Sequence, residues 1–271
     1  MSKRARQMKL GPCLDLLVQR AVALLQFNAP KDGSPYYGCF SGGKDSVVIK
    51  ELARMAGVPI EWHYNVIIDP PELMRFIKRE HPDVSWEFAK FGRGPRKGQR
   101  RPHFFRRIKE KLLVPTRFCR WCCTEYKHSK GPKGCTRVLG IRIEESGKRA
   151  NNYTACVMPK AAGRREVYPI RLWTQDNVWT FIRQQKIAYC SLYDEGFERL
   201  GCVGCPLSTP AHRKAEFARW PHFEKQWRNA FDLVVSERER LGKSPPPAIF
   251  SPSGEPMEFC SRRRIVRVVG E

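Results

Sequence analysis

Phe40-Ser41-Gly42-Gly43-Lys44-Asp45-Ser46 is the stretch on which the reading of this chain turns. The apolar run Tyr36 to Phe40 precedes it, and Val47, Val48, Leu52 and Met55 follow at helical spacing. That order is strand, glycine turn, helix, which aims free backbone N–H groups and a positive helix end at a phosphate. The paired glycines permit close backbone approach and positive φ. Ser41 and Ser46 add hydroxyl donors, and Lys44 adds a point charge. Gly38-x4-Gly43-Lys44 follows the P-loop pattern until Asp45, which stands where a Ser or Thr would bind Mg²⁺. A P-loop kinase or GTPase is therefore disfavoured.

Working outward, Cys13 to Phe27 places Leu14, Leu17, Val18, Ala21, Val22 and Leu25 on one helical face. Downstream, the helix after the glycine turn stops at Gly57, and Ile60 to Ile68 reads as a buried second strand. Asp69-Pro70-Pro71-Glu72 opens a helix to about Glu80, and Val84 to Phe88 reads as a third strand. Strands alternating with helices predict an α/β fold, a doubly wound parallel sheet of Rossmann-like type. Ligands of such sheets bind at the carboxyl ends of the strands, where Ser41–Ser46 and Asp69 fall. Asp69 is thus a candidate Mg²⁺ or ribose contact, or else a plain helix cap. Tyr168 to Arg171 reads as a later strand. Thr174 caps a helix from Gln175 to Lys186 with Val178, Trp179 and Ile182 inward. Phe223, Trp227, Phe231 and Val234 or Val235 mark a long helix to Leu241. Three consecutive segments are expected: a helical extension over 1–30, an α/β domain over 31–208 with a basic insertion at 89–111, and a helical, basic extension over 209–271.

Lys and Arg number 50 against 27 Asp and Glu, a net charge of +23. A small-molecule enzyme has no need of that excess, whereas a polyanion partner explains it. The segment 89–111 is rich in Arg, Lys, Gly and Pro. Arg96, Lys97, Arg100, Arg101, Arg106 and Arg107 are its candidate phosphate contacts, and Phe91, Phe104 and Phe105 are interleaved for base stacking. A second basic patch follows at Arg262, Arg263, Arg264 and Arg267. Met1 to Gly11 lacks an apolar signal core, and no run approaches the ~18 apolar residues of a membrane span. A cytoplasmic protein without a membrane partner is expected.

Eleven cysteines in such a protein point to metal or redox chemistry rather than disulfides. Cys119, Cys122 and Cys123 form one group, and Cys202-Val203-Gly204-Cys205 the other. Four thiolates from these groups can hold an iron–sulfur cluster or a structural Zn²⁺. With Cys119 and Cys122 as the first pair, two Cys-x-x-Cys knuckles make a zinc-type site; Cys119 thus competes with Cys123 as a ligand.

The string Ser-Gly-Gly-Lys-Asp-Ser resembles the pyrophosphate loop of the N-type ATP pyrophosphatases and the related sulfonucleotide (PAPS/APS) reductases. Gly140-Ile141-Arg142, with Glu145, Ser146 and Arg149, is similar to the arginine motif with which those reductases grip the anionic end of their nucleotide. The adjacent pair Cys122 and Cys123 with Cys202 and Cys205 resembles the [4Fe-4S] signature of assimilatory APS reductases. Over roughly residues 36–208 the resemblance implies an adenine nucleotide alpha hydrolase type of fold. It also implies a nucleotide site of Ser41, Gly42, Gly43, Lys44, Asp45, Ser46, Asp69, Gly140, Arg142, Glu145, Ser146 and Arg149, with Lys44, Asp45 and Arg142 as catalytic residues. ATP, Mg²⁺ and a [4Fe-4S] cluster are the implied cofactors.

The reductases carry a nucleophilic cysteine in a C-terminal Glu-Cys-Gly-x-His motif, whereas this chain has Glu258-Phe259-Cys260-Ser261-Arg262. The expected function is therefore an ATP-dependent sulfurtransferase that releases AMP and pyrophosphate and thiolates nucleic acid. DNA phosphorothioation is expected ahead of tRNA thiolation, with a cysteine desulfurase as sulfur donor. The alternatives are a sulfonucleotide reductase and a non-catalytic nucleic-acid-binding protein with a structural metal.

Overall fold

The computed structural model describes residues 13–92, 94–127, 131–160 and 163–244. In chain order the elements are α1 (Leu14–Phe27), β1 (Tyr36–Phe40), α2 (Lys44–Ala56), β2 (Ile60–Asn65), α3 (Pro71–Glu80), β3 (Ser85–Glu87) and α4 (Phe104–Lys111). There follow β4 (Thr136–Leu139), α5 (Gly147–Asn152), β5 (Val157–Pro159), β6 (Arg165–Val167), α6 (Gln175–Gln184), α7 (Pro210–Arg219) and α8 (Pro221–Arg240). The described residues fall into two compact units. One comprises 13–64, 71–87 and 131–200, and the other 65–70, 88–127 and 201–244. The division differs from the three consecutive segments expected at 30 and 208. In the second unit Phe104 and Phe105 stand edge-on to Trp227, which ties the basic insertion to α8 across the sequence.

The first unit holds a mostly parallel six-stranded sheet in the order β3-β2-β1-β4-β6-β5, flanked by helices. β1 pairs in parallel with β2 on one side and with β4 on the other, and β4 with β6. This is the Rossmann-like α/β fold expected. The short edge strand β5 runs antiparallel to β6. Because β1 sends its chain to β2 on one side and has β4 on the other, the carboxyl ends of β1 and β4 form the switch point. The glycine turn leaves one of those ends and Gly140 the other.

Local signals mark several ends correctly. Gly57 closes α2 in the left-handed region at φ 64°. Thr174 caps α6 in a reciprocal capping box with Asn177. Gly38 plays no part in phosphate binding: it sits inside β1, and a Cβ there would meet the Trp62 ring at 2.4 Å. The strand read at Tyr168–Arg171 lies in a turn, and β6 instead occupies Arg165–Val167. On α6, Val178, Phe181 and Ile182 are the buried residues, while Trp179 is half-buried against Tyr189 and Tyr193. The cysteine and arginines of 258–267 lie outside the described residues.

His81 is a buried polar group of this unit, edge-on to Phe40 and Phe76. Burial holds its imidazole down to about 4, with the Lys50 ammonium acting in the same sense. A depressed folded pKa stabilises the protein above the unfolded value near 6.5, and that contribution fades as pH falls towards 4. Urea denaturation across that window should show stability declining with acid, and His81→Leu should flatten the slope; parallel curves for both proteins would contradict the assignment.

Candidate functional site

The glycine turn is built by removing side chains at close approaches. Gly42 has φ +72°, and a Cβ on it would meet the Ile77 and Leu73 methyls of α3 at 2.7 Å. Ser46 Oγ donates to the Gly43 carbonyl at 2.7 Å, and Ser41 Oγ lies 3.3 Å from Ser46 Oγ. These contacts fix the first turn of α2, whose N-terminal amides and dipole face the end of β1.

Lys44 is buried, which lowers its pKa, while Asp45 opposes that effect. Its ammonium donates to the Glu198 carbonyl at 3.0 Å, sits 5.5 Å over the Tyr193 ring and lies 3.9 Å from Asp45. The Lys44 amide donates to the Tyr193 hydroxyl at 2.9 Å. Burial pushes the Tyr193 phenol up, so it stays protonated. Lys44, Asp45, Arg142 and Glu145 act on one another electrostatically, together with Arg199. Tyr193, Glu198 and Arg199 went unassigned in the sequence; the signal available was the run Tyr193-Asp194-Glu195-Gly196-Phe197 ahead of the second cysteine pair.

The arginine motif differs most from expectation. Arg142 is buried; its Nε donates to Asp45 Oδ1 at 2.6 Å and its Nη1 to Glu144 Oε2 at 2.7 Å. Glu144 in turn accepts from the Gln175 amide at the start of α6 at 2.6 Å. Arg149 pairs with Glu145 at 2.7 Å, and Ser146 caps α5 by accepting from the Arg149 amide. Burial raises the Glu145 carboxyl, with the Arg149 charge opposing. The space at Gly140 is filled as well, since a Cβ there would lie 3.1 Å from the Asp45 backbone. Both guanidinium groups thus meet carboxylates of the chain, and Gly140 permits the close approach of α2. Arg142→Leu would leave Asp45 without its buried partner. It should cost about 1–3 kcal/mol of stability in thermal or chemical unfolding, whereas a residue that only grips substrate would leave stability unchanged.

In the second unit Cys122, Cys123, Cys202 and Cys205 lie within electrostatic reach of one another. The Cys122 thiol donates to Cys123, and Arg120 Nη2 stands 3.5 Å from Cys123 Sγ, which together hold Cys123 down to about 5 and force Cys122 up. Burial pushes Cys202 up to about 12, against the pull of Lys127 at 3.8 Å from its sulfur. The knuckle is anchored from behind. Gly204 at φ +73° presses against Trp227, its amide donates to buried Glu216 at 2.9 Å, and Trp227 Nε1 donates to the Val203 carbonyl.

Cys119 closes a turn, its amide donating to Thr116 Oγ1. Among the described residues no three His, Cys, Asp or Glu side chains stand in metal-holding geometry. The donor set nonetheless suits a thiolate-bound group: four thiols, one already poised as thiolate, with two cations beside them. Buried Asp69 belongs to this unit and acts on Lys127 and Cys202, not on a helix end alone. In metal-free protein, alkylation of Cys123 by iodoacetamide should rise through about pH 5 and stay high above it. Peptide mapping that finds a rise only near the ordinary thiol range would contradict this placement.

The basic insertion is more ordered than its composition implied. Phe104, Phe105 and Ile108 bury one face of α4, and Phe91 is buried too, so these rings are core and not stacking platforms. Arg101, Arg107 and Lys111 converge on Glu125 at 2.7, 2.9 and 2.8 Å. Arg96 and Arg100 lie over Phe91 and Phe88, Lys97 is exposed, and Arg106 points outward on α4.

The sequence profile of the phosphoadenosine phosphosulfate reductase domain matches residues 36–208. The chain belongs to that family. Its match takes in the glycine turn, the arginine motif and both cysteine groups. Two uncharacterized proteins of Methanocaldococcus jannaschii are 26% and 29% identical over 85% and 69% of this chain. The chain spans about half the length of these relatives, 48% and 45%. The adenosine 5′-phosphosulfate reductase of Allochromatium vinosum is 30% identical over 31% of this chain and 32% of its own. Among solved structures, the phosphate complex of phosphoadenylyl-sulfate reductase from Candida auris superposes with a TM-score of 0.50 at 12% identity. It covers 71% of this chain and 95% of that one. This PAPS reductase family domain has no described helix long and apolar enough to cross a membrane.

Proposed function

We propose that this member of the PAPS reductase domain family splits ATP to AMP and pyrophosphate and uses the activation to place sulfur on nucleic acid, with DNA ahead of tRNA as acceptor. One observation carries the reading. The thiol group at 119–123 lies within 88–129, the stretch where thirteen Lys or Arg face only Glu110 and Glu125. Sulfur chemistry is thereby set in the part of the chain best suited to a polyanion.

The division of labour follows from the residues. An oxygen of the acceptor attacks the α-phosphorus of ATP, and pyrophosphate leaves. The turn Ser41–Ser46 receives the departing pyrophosphate on helix-terminal amides and hydroxyls, with the Lys44 ammonium beside them. Mg²⁺ would neutralise the same oxygens. Asp45, held by Arg142, fixes the first turn of α2. The terminal sulfur of a persulfide carried from a cysteine desulfurase partner then displaces AMP from the acceptor, and an external thiol reductant cleaves the resulting S–S bond, leaving the thiolated acceptor and a disulfide. Cys122, Cys123, Cys202 and Cys205 are the residues that would hold a [4Fe-4S] cluster, which with three of them as ligands would leave one iron open to sulfur. Arg120 and Lys127 would offset the negative charge of such a thiolate set. Arg96, Lys97, Arg100 and Arg106 are the outward cations for the backbone.

A sulfonucleotide reductase is the second reading, favoured by the family match itself. Anaerobically purified full-length protein should be given ATP and Mg²⁺ with and without DNA or tRNA, and separately APS or PAPS with a thiol reductant. AMP and pyrophosphate, stimulated by one nucleic acid, are the expected products. Sulfite from APS or PAPS with ATP untouched would restore the reductase and overturn the proposal.

A further inference from the structure

Phe118 is fully exposed. The segment that carries it is a closed turn: the Thr116 amide donates to the Cys119 carbonyl at 3.1 Å, and the Cys119 amide to Thr116 Oγ1 at 2.9 Å. The turn holds the ring out into solvent, where its apolar faces are uncovered. Its neighbours are cationic. Arg117 donates to the Leu207 carbonyl at 3.4 Å, and Arg120 reaches back to Cys123. Phe91, Phe104 and Phe105, the aromatics read from the sequence as base platforms, are buried instead.

We infer that Phe118 is a base-stacking finger that takes an unstacked nucleotide, with Arg117 beside it to neutralise a flanking phosphate. The inference rests on the nucleic-acid reading above and adds the substrate form: single-stranded or locally opened. A ring flanked by arginines in the most basic stretch of the chain fits a polyanion better than an acid-poor protein surface. Phe118 lies four positions before Cys122, at most about 14 Å of chain. A base stacked on the ring is thus held close to the thiols along the same segment.

The test is binding of the full chain to single-stranded and duplex oligonucleotides, DNA and RNA, carrying 2-aminopurine as a reporter of stacking. Phe118→Ala should weaken single-strand affinity roughly 5- to 150-fold, the range expected for one aromatic–base stack. It should also abolish the 2-aminopurine change while leaving the salt dependence intact. Phe118→Trp should retain both signals. Lys97→Ala, by contrast, should weaken binding and flatten the salt dependence with the stacking signal kept. Unchanged affinity and signal in Phe118→Ala, with nucleic acid still bound, would overturn the finger and leave the nucleic-acid reading standing. The same variant binding normally but failing to accept sulfur from a desulfurase would assign Phe118 to a protein contact, which also overturns it. No binding by the unaltered protein would remove both.

Discussion

The ion pair of buried Arg142 with half-buried Asp45 is the constraint on which the glycine-turn end of the sheet unit depends. It joins the chain leaving β4 to the first turn of α2, and Gly140 makes the junction possible by having no side chain. Glu144 extends it to the start of α6. A charge buried this thoroughly is tolerated only while its partners stay in place. The position of the glycine turn is therefore tied to elements that are remote in sequence. Pre-organisation of this kind is what a cradle for a departing pyrophosphate requires, because amides already oriented need no rearrangement when charge develops.

The same economy of charge governs the second unit. Glu125 gathers Arg101, Arg107 and Lys111, and so turns part of a basic insertion into a framework for the cysteine segment. What remains outward is a smaller set of cations than the composition advertises. Around the thiols, Arg120 and Lys127 set the charge balance: one member of the adjacent pair holds its proton and the other gives it up. Cysteine pairs next to fixed cations are reactive or ligating, seldom inert.

Much of this was legible from residue order. The strand, turn and helix around Ser41–Ser46 were readable because apolar spacing and paired glycines are local signals, and the helix ends at Gly57 and Thr174 were readable for the same reason. The family match over 36–208 bears out the resemblance drawn from the glycine turn, the arginine motif and the cysteine spacing. The antiparallel edge strand and the placement of β6 upstream of Tyr168 were not readable. Short strands of three residues carry too little periodicity to separate from a turn.

The sequence by itself determined where the strand, glycine turn and helix fall, which cysteines stand in pairs, and how strongly basic the chain is. Those properties depend on residue type and short spacing. Only the tertiary structure decided that Arg142 and Arg149 are engaged by carboxylates, that Asp69 belongs with the cysteines, and that Phe104 and Phe105 face inward while Phe118 faces water. Each of those outcomes depends on which distant segment arrives first at a charge or an apolar surface. An arginine or a phenylalanine looks the same in a sequence whichever neighbour it finds.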